Sequence, residues 1–140
     1  MVQTHLGHYS RALALAEDSY NHAKTNTYHI ESYFRCLVRA SMPDRQILKQ
    51  LITEMYHSQD VHKKVIGGTM EAEYEFYVNR NIQDSFKRIE EILETTTNSY
   101  RNYPLRSLRE MCNSMDNLSY YRKVVSRQGI DENPYFDEND

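Results

Sequence analysis

The chain has 140 residues, a net charge of −3, 39% hydrophobic and 26% charged residues. That is about one domain of ordinary folded composition, outside the disordered and fibrous classes. No apolar run approaches the roughly 18 residues of a membrane helix, and no face is basic enough to single out nucleic acid as a partner.

Only 4 Gly and 3 Pro are present, which argues for helices joined by few tight turns. Cys36 and Cys112 each fall inside an apolar helical pattern, so both are expected as buried, reduced thiols. With no apolar signal region among the first residues, a cytoplasmic location is expected.

In chain order, Gly7 reads as a turn. From Tyr9 onward Ala12, Leu13, Ala16, Ser19, Tyr20 and Ala23 recur three and four apart, the spacing of one helical face. Lys24–Thr27 closes that helix. A second is predicted over 28–41, with Ile30, Tyr33, Phe34, Leu37, Val38 and Ala40 on its apolar side and Asn26 or Thr27 as its N-cap. Ser41–Asp44 breaks the pattern. A third helix follows over 44–57, carrying Ile47, Leu48, Leu51, Ile52 and Met55, with the Asp44 charge at its N-terminus.

The next helical stretch runs from Val61 to Val78 and contains Gly67-Gly68. Either the helix begins after that pair, or the pair permits a close backbone approach. After the Asn79–Asn81 turn, Ile82, Phe86, Ile89, Ile92 and Leu93 form one stripe. Pro104 sits near the first turn of a helix bearing Leu105, Leu108, Met111, Cys112 and Met115. The last helix spans 118–127 and stops at Gln128-Gly129. No strand-like alternation persists, so the class is all-α. Residues 1–129 form the expected domain. Residues 130–140 form an acidic tail, the last ten positions holding five acids and no base.

The turns at Gly7, Ser41, Arg80 and Met115 are separated by steps of 34, 39 and 35 residues. A helix–turn–helix unit repeating near that length resembles the tetratricopeptide repeat. Gly7-His8-Tyr9-Ser10-Arg11-Ala12 matches the family's Gly-x-Tyr-x-x-Ala signature. Arg80–Ser85 is a weaker copy, with Ile82 at the aromatic and Ser85 at the small position. The segments at Ser41 and Met115 depart further. The resemblance implies a right-handed superhelix of antiparallel helical hairpins, an α-solenoid of about 3.5 repeats. A looser likeness is to the repeat regions that follow enzymatic or NTPase modules in larger bacterial multidomain proteins. In that register the first hairpin has lost most of its leading helix. The face of Tyr9, Leu13 and Tyr20 is then expected to be partly exposed and open to homodimer contacts.

The six histidines form no HExxH and no zinc-ligand spacing with either cysteine. Glu71, Glu73 and Glu75 alternate, which on a helix points them to different sides, so they make no paired-carboxylate site and are expected to be solvated surface charge. No nucleophile-elbow or phosphate-loop pattern occurs. Neither catalysis, a cofactor nor a metal is therefore expected.

The resemblance places the first helix of each unit along a concave groove that binds partner peptides or domains. Carried over in register, the groove positions are Tyr28, Glu31, Arg35 and Arg39, then Tyr74 and Tyr77, then Arg109 and Asn113. Arg35 and Arg39 share a helical face and are suited to an external carboxylate, or else are solvated or paired with Glu31. A weaker expectation puts Ile130–Asp140 in the basic part of the groove, anchored by Tyr135 and Phe136. The expected function is a protein–protein interaction scaffold that binds neither membrane nor nucleic acid. The alternative is a regulatory domain sensing a small molecule or peptide in a Tyr-rich groove.

Overall fold

The computed structural model of the chain describes residues 6–57, 59–97 and 100–130, the first five of these by backbone alone. Among them are seven helices and no strand. The helices are α1 (Leu6–His22), α2 (Thr27–Val38), α3 (Arg45–Tyr56), α4 (Val61–Tyr77), α5 (Ile82–Thr95), α6 (Asn102–Ser114) and α7 (Leu118–Arg127). None is long and apolar enough to cross a membrane.

Capping residues set most boundaries. The Asn26 side chain accepts from the His29 N–H and starts α2. Asp44 accepts from the amides of Gln46 at 3.0 Å and Ile47 at 3.2 Å, and Asp60 does the same for α4. Each carboxylate satisfies donors that the first helical turn leaves orphaned. Replacing Asp44 with alanine is expected to lower stability by about 1 kcal/mol, read as a lower midpoint in urea unfolding with an unchanged slope.

At the other end of the chain α7 stops in a Schellman motif. Gly129 takes φ +63°, the Ile130 N–H reaches Val125 C=O at 3.0 Å, and the Gly129 N–H reaches Ser126 C=O at 3.1 Å. Ile130 then packs on the core. Residues 131–140, with Tyr135 and Phe136, lie outside the described residues.

Each helix packs on the next, and α2, α4 and α6 also contact one another in that order. The core has two clusters. The first joins Tyr20 of α1, Phe34 and Leu37 of α2, Leu48, Leu51 and Met55 of α3, and Ile66, Met70 and Tyr74 of α4. The second joins Ala72 and Phe76 of α4 to Phe86, Ile89 and Leu93 of α5, Leu105, Leu108 and Met111 of α6, and Tyr121 and Val124 of α7. Helix α4 serves both, and from Val65 to Phe76 every residue but Glu71 and Glu75 is buried, as expected of a stretch enclosed by neighbouring helices.

That enclosure resolves the glycine pair. Gly67 and Gly68 lie within α4, and Gly67 meets the backbone of α3. One expectation at the N-terminus is corrected. Gly7 is not a turn, because α1 runs through it from Leu6. Of the face of Tyr9, Leu13 and Tyr20, Tyr20 is buried, stacked on Tyr33 of α2 with centroids 5.2 Å apart, and Leu13 is half-buried against the same cluster, while the Tyr9 side chain lies outside the described residues. Among the described side chains of α1, the exposed large apolar one is Leu15, at 65%. Cys112 is buried as expected, whereas Cys36 is half-buried, and neither forms a disulfide.

Candidate functional site

Positions 28, 31 and 35 of α2, and 39 at its C-cap, follow the three- and four-residue spacing of one helical face. So do 73 and 77 of α4, and 103, 106, 107 and 110 of α6. Because α2, α4 and α6 lie side by side, these three faces meet in one polar seam.

Glu73 is at the centre, 2% exposed. The Tyr103 hydroxyl donates to it at 3.2 Å, and the Arg39 guanidinium stands 4.0 Å from its second oxygen. Arg39 spans all three helices. It donates to the Arg35 carbonyl at 2.9 Å, to the Tyr77 hydroxyl at 3.2 Å and to Glu110 at 3.2 Å, with its carbon 4.6 Å from the Tyr77 ring centroid. Arg35 pairs with Glu31 at 3.2 Å, and Arg106 with Glu110 at 3.6 Å.

Burial dominates the electrostatics. It pushes the Glu73 carboxyl up to about 7, against the pull of Arg39, while the charges of Glu31 and Glu110 add to the rise and the Tyr103 hydrogen bond opposes it. Burial, then the Glu73 charge, hold the Tyr103 phenol well above its ordinary value. Near neutral pH Glu73 is thus shared between an acid that holds its own proton and a carboxylate paired with Arg39. The space left between Glu31, Arg35, Glu73, Tyr103, Arg106 and Glu110 is about 10 Å³, about the room for one water.

Of the residues expected in a groove, Glu31, Arg35, Arg39 and Tyr77 come together here. The two arginines do not act as an open pair for an external carboxylate, since Arg35 is held by Glu31 and Arg39 by Glu110 and Tyr77. Tyr28 lies at the end of the same α2 face, 69% exposed. Asn113 is exposed on α6, one step beyond Glu110, and Arg109 is half-buried beside it. Tyr74 is a correction: it is 7% exposed, packed in the first core cluster with the Lys49 ammonium 6.0 Å from its ring, so it offers no groove surface.

The expectation that Glu71, Glu73 and Glu75 are solvated surface charge is also corrected at Glu73, which is buried. Its neighbours at three and four residues are Thr69, Met70, Phe76 and Tyr77, a face with no other charge. That was the available signal. Tyr103, Arg106 and Glu110 were missed as well. Their spacing was visible, but their role depends on α6 docking beside α4.

Comparisons with protein-family models, with curated proteins and with solved structures find no match to this chain.

Proposed function

We propose that this chain is a non-catalytic interaction module, a tetratricopeptide-like α-solenoid that offers the α2–α4–α6 face to a partner peptide or protein domain. The observation that supports this reading is the serial packing. The hairpins α2–α3, α4–α5 and α6–α7 follow one another, and their leading helices are neighbours. A helical hairpin buries its apolar face only against the next one, and the leading helices then make one continuous surface. Glu31, Arg35, Arg39 and Tyr77 form the paired middle of that surface. Tyr28 and Asn113 mark its exposed ends, and an exposed tyrosine is a residue type favoured at binding hot spots. The small free space among the central side chains favours recognition of a partner's surface over an enclosed small molecule.

Photocrosslinking tests the reading. A benzophenone amino acid placed at position 28 or 113 of the full chain is expected to capture one and the same protein partner in cells. The same probe at Lys87 or Glu91, on the exposed side of α5, is expected to leave that partner uncaptured. Equal capture from the α5 positions would remove the α2–α4–α6 face as the binding surface.

A further inference from the structure

At the edge of the polar seam, and sharing Arg39 and Tyr77 with it, an open cleft of about 410 Å³ lies between the end of α2, the loop into α3 and the turn from α4 to α5. Its charged lining is Arg39, Arg45 and Arg80, its walls include Pro43, Tyr77 and Val78, and none of its lining residues is acidic. The volume falls within the range of about 300–1,000 Å³ typical of ligand pockets and exceeds what a single carboxylate fills.

The three guanidinium groups differ in what they have left to bind. Arg39 is committed to Glu110 and Tyr77. Arg45 and Arg80 are exposed, and neither pairs with a carboxylate among the described residues. The nearby Asp44 carboxylate does not neutralise them by contact, because it accepts from the amides that open α3. Arg80 also stands at φ +59°. It closes α4 in a Schellman motif, with the Asn81 N–H reaching Glu75 C=O at 2.8 Å, as Asp116 closes α6 with the Asn117 N–H on Cys112 C=O at 2.8 Å. Glycine adopts that left-handed backbone with less strain than an L-residue.

We propose that this cleft binds a short acidic segment of a partner protein, with its carboxylates held between Arg45 and Arg80 and its apolar side chains against Pro43 and Val78. The guanidinium fork suits carboxylate oxygens, and the mixed wall suits the residues between the acids. The anionic chemistry is read from the cleft itself. That the anion is carried on a peptide rests on the interaction-module reading above.

Fluorescence anisotropy with the full chain tests it, using labelled hexaglutamate and hexaglutamine peptides as probes. Hexaglutamate is expected to bind, hexaglutamine not, and binding is expected to weaken as salt rises from about 0.05 M to about 0.3 M. Arg45→Ala/Arg80→Gly is expected to weaken hexaglutamate binding about tenfold. Glycine suits the Arg80 backbone, so the thermal midpoint of that variant should not fall, which separates lost binding from lost folding. Arg122→Ala/Lys123→Ala removes exposed cations of α7 and is expected to change affinity by less than about twofold. Equal loss in both variants, or none in the first, would overturn the site. Displacement of the probe by about 1 mM inorganic phosphate would assign the cleft to a free oxyanion and overturn the peptide ligand. Absent hexaglutamate binding with intact crosslinks from positions 28 and 113 overturns the cleft alone. Retained binding with those crosslinks lost overturns the α2–α4–α6 reading alone.

Discussion

At about pH 8, Glu73→Gln is expected to be more stable than the wild-type chain by about 3 kcal/mol, and at about pH 4.5 the difference is expected to close. The argument starts from burial. Glu73 is 2% exposed, and its carboxyl titrates at about 7 in the folded protein against an ordinary value of 4.5. Between those two values the unfolded chain has lost the proton and the folded chain retains it. The folded state then binds more protons, so stability falls as pH rises through the window. The contribution is fully present below the unfolded value and lost above the folded one.

Glutamine copies the protonated acid in shape and keeps an oxygen for the Tyr103 hydroxyl, so it has no such loss. Arg39 remains engaged by Glu110 at 3.2 Å and by Tyr77 at 3.2 Å in the variant, and no unpaired buried cation is created. Urea unfolding of both proteins at closely spaced pH values reads the effect as a difference between two curves. Contributions common to the two proteins cancel in that difference. Parallel curves would show that Glu73 ionises in the fold as easily as in the unfolded chain, and the account of the seam would fail.

The helices were legible because local signals act locally. Asn26 and Asp44 mark the starts of α2 and α3 by chemistry that spans three residues. The apolar spacing from Leu118 to Val125, with Gly129 beyond it, bounds α7. Helix α4 was harder to read. A helix buried on all sides loses the contrast on which periodicity depends, and its residues 65–70 are buried without interruption.

The same property hid the site's central residue. An acid at position 73, two residues from Glu71 and Glu75, has the pattern of solvated surface charge. Only the packing of α2 and α6 against α4 removes the solvent. Tyr74 and Tyr77 illustrate the same limit. They sit three residues apart in the sequence, yet one enters the core beside α3 while the other reaches Arg39. Glu31, Arg35, Arg39 and Tyr77 were picked out by the register of the tetratricopeptide resemblance, and the four-residue spacing already offered Glu31 as a partner for Arg35. The pairing of Arg39 across helices was not legible, because Glu110 lies 71 residues from it.

Gly67→Leu is expected to lower stability by about 3 kcal/mol, the upper part of the range for overpacking a tight core. A Cβ at position 67 would stand 3.2 Å from Met55 Cβ and 3.3 Å from the Tyr56 backbone nitrogen. Neither neighbour is a flexible side-chain end. Met55 is fully buried, and the Tyr56 nitrogen belongs to the backbone of α3. Relief therefore requires α3 and α4 to separate, which disturbs Leu51, Met55, Ile66 and Met70 together. The helix propensity gained on removing a glycine, about 1 kcal/mol, is too small to offset this.

Gly68 supplies the contrast one residue on. Its added Cβ would meet Ile92 Cδ1 at 3.1 Å and the Tyr56 hydroxyl at 3.3 Å, both ends of movable side chains. Gly68→Ala is accordingly expected within about 1 kcal/mol of wild type, strain and propensity nearly cancelling. Urea unfolding of the two variants separates the positions. Equal midpoints would mean that the contact of α3 with α4 yields as easily at its backbone as at its side chains. Gly67 would then not be what holds the two helices close.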